Sequence, residues 1–154
     1  MKPGLLKLRV NMYPPYWGTG IAVREISSDF RNITVRMKLH WYNRNYFGNH
    51  FGGSLYAMTD PFYALMLIHI LGADYIVTDK AGAIEYVKPG KGTLTARFAV
   101  DDAMLEDIRA GTKSGSCCFP QLTVEVTDEQ QEVVARVVKT IYVRKKNPTP
   151  QEDG

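Results

Sequence analysis

The stretch Ser54-Leu55-Tyr56-Ala57-Met58-Thr59-Asp60-Pro61-Phe62-Tyr63-Ala64-Leu65-Met66-Leu67-Ile68-His69-Ile70-Leu71 is apolar on nearly every side when wound as a helix. A helix without a polar face must be wrapped by protein around most of its circumference. The run is under ~20 residues and is interrupted by Asp60 and His69, which argues against a membrane span. One central helix is therefore predicted, and the rest of the chain has to supply its cover. Asp60-Pro61 leaves two local outcomes open. Asp60 can N-cap a helix with Pro61 at its first position, or the helix begins near Gly53 and Pro61, lacking an N–H, kinks it.

The cover is legible on both sides of this helix. Upstream, Ile33, Val35, Met37, Leu39 and Trp41 alternate with Thr34, Arg36, Lys38 and His40, which predicts a strand over Asn32–Trp41. Ile21–Ile26 completes a hairpin across Ser27-Ser28-Asp29. Downstream, period two returns in Ala83–Lys88 and Thr93–Val100, joined by Pro89-Gly90-Lys91-Gly92, and in Leu122–Thr127 and Val133–Val143. Asp101–Ala110 reads as a short helix capped by Asp101 or Asp102 and stopped at Gly111. Leu5, Leu6, Leu8 and Met12 predict a short N-terminal helix, followed by a covering loop at Tyr13-Pro14-Pro15-Tyr16-Trp17-Gly18. The fold class is α+β: an antiparallel sheet of five to six strands whose apolar face curls around the one long helix. The expected organisation is an N-terminal helix and aromatic loop over 1–19, the sheet-and-helix domain over 20–144, and a flexible, Pro-rich tail over 145–154.

A chain of 154 residues fits a single core. Apolar residues at 45 % and charged residues at 23 % lie in the ordinary globular range. The net charge of +3 is scattered instead of gathered in a basic arm, so no nucleic-acid partner is expected. A single-stranded nucleic-acid binder would suit the pI near 8.8 but needs exposed aromatics along a basic groove. Cys117 and Cys118 are adjacent, too strained for an ordinary disulfide and without the partners of a metal site. No metal is expected, and a reducing, cytoplasmic location is the simpler reading. Met1–Val10 is too short and too charged for a signal sequence or span.

The loop before the helix reads Asn45-Tyr46-Phe47-Gly48-Asn49-His50-Phe51-Gly52-Gly53-Ser54. It resembles the Asn-x-x-Gly-x-x-His-Gly-Gly signature, with an Asp seven residues after the second Gly, of hotdog-fold thioesterases of the phenylacetic-acid-pathway type. Asn45, Gly48, Gly52, Gly53 and Asp60 fall in register; Phe51 stands where the pattern has His, and His50 sits one position earlier. From about Gly20 to Val143 the chain is similar to an uncharacterised branch of that superfamily, also found fused behind some acetyltransferases. The resemblance implies a hotdog fold, an acyl-CoA thioester as small-molecule substrate, and no cofactor besides the CoA that the substrate carries. It implies a homo-oligomer, dimer or dimer of dimers, in which Asp60 lies opposite the glycines of a second subunit. Asn45 would steady the thioester carbonyl or the loop, and Gly52, His50, Phe51 and Ser54 would contact substrate.

The chemistry of these residues can be argued without the resemblance. Thioester hydrolysis builds negative charge on the carbonyl oxygen, so its site needs donors already aimed at that oxygen. First-turn helix amides have no helical partners and sit at the positive end of the helix dipole. Glycine lets a ligand approach them closely. The Gly53 amide is the expected oxyanion donor, and Asp60 is base or nucleophile, a choice the sequence leaves open. With Phe51 in place of His, a non-catalytic acyl-CoA or fatty-acyl binder is the competing reading. Arg44, Lys88, Lys91 and Lys113 are candidate partners for CoA phosphates; His69 and the Cys117-Cys118 pair are read as structural.

Overall fold

The computed structural model describes residues 1–146. The strand that alternates best in sequence, β2 (Asn32–Lys38), buries Ile33, Val35 and Met37 and turns Arg36 and Lys38 outward. It lies between β1 (Ile21–Ile26) and β4 (Thr93–Ala99), and the sheet continues through β6 (Gln121–Thr127) and β7 (Val133–Lys145) to the edge strand β3 (Tyr75–Tyr86). Every ladder is antiparallel. A two-residue strand, β5 (Cys117–Cys118), pairs with the end of β7 and makes the seventh.

The inner face of the sheet packs on the central helix. Val35, Met37, Leu94, Ala96, Phe98, Val137 and Ile141 from the sheet are buried with Leu55, Met58, Phe62, Met66 and Leu67. Phe98 is the hub: its ring centroid lies 5.0 Å from that of Phe62 and 5.2 Å from that of Tyr63. The Tyr63 hydroxyl donates to the Thr123 carbonyl at 2.7 Å, which satisfies its one polar atom inside the core. This is the hotdog arrangement. Gly52–Leu71 is apolar and long enough to cross a bilayer by composition alone, yet here it is the bent helix the sheet encloses.

The central helix consists of α3 (Gly52–Ala57) and α4 (Phe62–Leu71), with the bend at Met58–Pro61. Pro61 offers no N–H and its ring disfavours helical backbone at Asp60, so the break falls where these two residues stand. Asp60 does not cap α4: Pro61 occupies the cap position and its carbonyl accepts from the Leu65 amide at 2.9 Å. Of the two outcomes open in the sequence, the structure takes the bend.

Other differences have local causes. β3 is 12 residues long and begins at Tyr75, well before Ala83, because it is a largely exposed edge strand whose bulge between Asp79 and Ala81 breaks the period of two. β2 ends at Lys38 because the Asn43 side chain takes over its hydrogen bonds, accepting from the His40 amide at 2.6 Å and donating to the Lys38 carbonyl at 2.8 Å. Trp41 is thereby turned out and is 80 % exposed instead of facing inward. At the N-terminus α1 (Pro3–Asn11) buries Leu6 and leaves Leu5, Leu8 and Met12 exposed. Asn11 docks it on β1 through both side-chain atoms, to Val23 N at 2.7 Å and Val23 O at 3.0 Å. The stretch read as a covering loop is the short helix α2 (Pro14–Thr19). The helix α5 (Asp102–Gly111) is capped by Asp101. Of the expected tail over 145–154, Lys145 closes β7 and residues 147–154 lie outside the described part.

Candidate active site

Asn45 organises the loop that delivers the chain into α3. Its Oδ1 accepts from the amides of Phe47 and Asn49, both at 3.0 Å, and its Nδ2 donates to the His50 carbonyl at 3.3 Å. Of the two roles expected for Asn45, these bonds match the loop. His50 is turned into the protein and is 3 % exposed. Its Nε2–H donates to the Gly92 carbonyl at 3.0 Å and its amide to the Gly90 carbonyl at 2.9 Å, tying the loop to the turn between β3 and β4. Burial holds the imidazole below the ordinary histidine range, opposed by the Gly92 bond and helped by the nearby His40. Nδ1 is buried without a hydrogen-bond partner among the described residues.

Phe51 stands at the N-cap of α3, mostly exposed, with its ring beside Gly53: a Cβ on Gly53 would lie 2.6 Å from that ring. Gly52 and Gly53 therefore form the first turn with their amides among the unpaired helix-start donors. The Gly52 carbonyl accepts from the Tyr86 hydroxyl at 3.2 Å. Ser54 is buried, and its amide donates back to the Phe51 carbonyl at 2.9 Å. Gly53 opens on one groove, and Asn45, His50 and Gly52 line another on the far side of the helix start.

The groove on the Gly53 side has a volume of about 620 Å³, within the range of small-molecule sites. The bent helix supplies Gly53, Tyr56, Asp60 and Leu65, while α1 and α2 supply Arg9, Val10, Tyr13 and Tyr16. The structure thus brings Gly53 and Asp60 to one groove. Tyr16 donates to the Ala57 carbonyl at 3.4 Å. Burial, and secondarily the negative Asp60, push its hydroxyl well above the ordinary tyrosine range, so it is neutral.

The Asp60 side chain is 53 % exposed and its Oδ1 accepts from Lys139 Nζ at 2.8 Å. Lys139 comes from the inner face of β7, its side chain only 2 % exposed, and also reaches Asp79 Oδ1 at 3.0 Å. Its ammonium lies 5.4 Å from the centroid of the Tyr56 ring. Burial alone would pull the lysine down, but the hydrogen bonds and charges of Asp60 and Asp79 outweigh it and hold the ammonium above the ordinary range. Lys139 is absent from the expected site residues, although a signal for it exists. The inward register of β7 runs Ala135, Val137, Lys139, Ile141, Val143, and a single charge in an apolar stripe needs a buried partner. Among the phosphate candidates, Lys88 is already held by Asp128 at 2.7 Å and by Glu132.

A family model described as a domain of unknown function (DUF4442) matches residues 4–143. No curated protein matches the chain. Among solved structures, a Pseudomonas aeruginosa protein of unknown function, described as a probable thioesterase, superposes with a TM-score of 0.81 at 17 % identity, covering 94 % of this chain and 97 % of that one. A Haemophilus influenzae thioesterase superposes with a TM-score of 0.68 at 14 % identity, over 94 % of this chain and 92 % of that one. A Chlorobaculum tepidum protein of unknown function gives 0.72 at 14 % identity, over 95 % and 98 %. At such identities these likenesses establish the shared fold.

Proposed function

We propose that this chain, a member of the DUF4442 family, hydrolyses acyl thioesters, with acyl-CoA esters as the substrate class. The observation that carries the reading is the groove onto which both the Gly53 amide and the Asp60 carboxylate open. The Gly53 amide stabilises the oxyanion. Asp60 either takes a proton from the attacking water and passes it to the departing thiolate, or attacks the carbonyl itself and expels the thiolate to leave a mixed anhydride, which water then hydrolyses to the free acid with its proton going to the thiolate. The walls formed by Val10, Tyr13 and Leu65 suit an acyl group. The fold shared with a Haemophilus influenzae thioesterase supports the same class.

The site is read as shared between two copies, because Asp60 lies seven positions beyond Gly53 and past the end of α3. A second copy related by a two-fold axis runs its helix the other way and sets Asp60 of one protomer against Gly53 of the partner subunit. The exposed outer edge of β3, which pairs with no strand among the described residues, is a surface on which such a copy can add its own strand.

The test is turnover of a panel of acyl-CoA esters by the wild type and Asp60→Ala. Loss of a general base or nucleophile is expected to lower kcat at least about a hundredfold; equal rates in the two proteins remove the mechanism. A second reading, acyl-CoA binding without hydrolysis, draws on the burial of His50, which leaves no imidazole on the Gly53 groove. Tight binding with no turnover of any ester would select it.

A further inference from the structure

We infer that Lys139 is the positioning residue of this site, holding one oxygen of Asp60 so that the other is presented to the reacting carbonyl. The inference rests on the reading of Asp60 given above. Asp60 sits in the bend between α3 and α4, where no regular helix fixes its backbone, and its side chain is half exposed. A carboxylate so placed has several rotamers open to it. Lys139 rises from β7, the strand next to the edge strand β3, and bonds Asp60 Oδ1 at 2.8 Å. Oδ2 has no hydrogen-bond partner among the described residues.

Stability alone does not account for this lysine. Its neighbours on the inner face of β7 are Val137 and Ile141, and a buried ion pair commonly contributes no more than an apolar side chain of the same volume. The surroundings are also shaped to admit it. Gly82 lies directly opposite Lys139 in the β3–β7 ladder. A Cβ at that position would collide with the Tyr56 hydroxyl and come within 3.2 Å of Lys139 Cδ. The missing side chain thus lets Tyr56 lie over the ammonium while the lysine reaches past it to the helix bend. Asp79, at the bulge of β3, forms a second ion pair with the ammonium at 3.0 Å and helps hold the lysine in place. The remaining titratable or charged groups around the cluster are Tyr16, Tyr13 and Arg9 from the N-terminal helices.

The experiment compares Lys139→Met, Lys139→Gln and Asp79→Asn with the wild type for kcat, KM and the thermal midpoint. Misplacement of a reacting group by about an ångström costs on the order of a hundredfold. That loss is expected in kcat for Lys139→Met, with KM within about threefold. Asp79→Asn loosens the lysine but leaves it bonded to Asp60, so a loss of kcat smaller than that of Lys139→Met is expected. A folded Lys139→Met with unchanged kcat overturns the inference while leaving the hydrolase reading intact. If Lys139→Met does not fold, Lys139→Gln, which removes the ammonium, is judged by the same criteria. If the wild type hydrolyses no ester, the hydrolase reading has failed. The Lys139 ammonium is then titrated by nitrogen NMR in the wild type and Asp60→Asn; a lower midpoint in the variant upholds the contact between the lysine and Asp60, and an unchanged one overturns it.

Discussion

His50 is neutral in the fold because charging it would put a second N–H at Nδ1, a buried atom without a partner among the described residues. Its pKa is held below the value of 6.5 that it has in an unfolded chain. In the window beneath 6.5 the unfolded chain therefore binds a proton that the folded one refuses. Stability is full above the unfolded pKa and falls as pH drops through that window. We expect the thermal midpoint to rise between pH 5.5 and 7.5 more steeply in the wild type than in His50→Gln; parallel slopes would show that the imidazole is not held neutral. At this scale Gly53 and Asp60 are singled out by the resemblance of Asn45–Asp60 to a family signature, and the structure brings both to one groove. Lys139 lies 79 residues from Asp60, so their pairing required the sheet to be assembled. The inward face of His50 was hidden for the same reason: its partners, Gly90 and Gly92, belong to another turn.

Helix ends show which local signals translate directly. Asp101 accepts from the Met104 amide at 2.8 Å and caps α5, whereas Asp102 pairs on the surface with Arg31 at 2.6 Å. Asp101→Ala is expected to lower stability by about 1 kcal/mol. Asp102→Ala should leave the denaturation midpoint nearly unchanged, since an exposed pair is screened by solvent. Equal losses in urea titrations would contradict this division. The capping signal is contained within four residues and was readable. By contrast β3 was read from Ala83 onward because an exposed edge strand has no buried face to impose alternation, and its bulge shifts the phase. Leu39 and Trp41 continue the alternation of β2 by composition, but Asn43 ends the ladder at Lys38. The N-terminal helices were the least legible elements. α1 exposes three of the four apolar residues that predicted it, and it is placed by Asn11 on β1.

On the scale of the whole molecule, an apolar helix and an alternating sheet have one economical way to cover each other, and that is why the architecture followed from pattern alone. What pattern does not reach is the surface left after that core is closed: the edge of β3, the N-terminal wall of the groove and the half-exposed Asp60. We propose that Gly53 and Asp60 act together on one thioester across a two-fold axis. Two inactive variants, Asp60→Ala and Gly53→Val, are mixed under conditions that exchange subunits, and acyl-CoA hydrolysis is measured. Each mixed dimer would carry one intact pair, so recovery to about a quarter of wild-type activity is predicted for a random mixture of dimers. Activity that never rises above that of the separate variants, with exchange demonstrated, would contradict the claim.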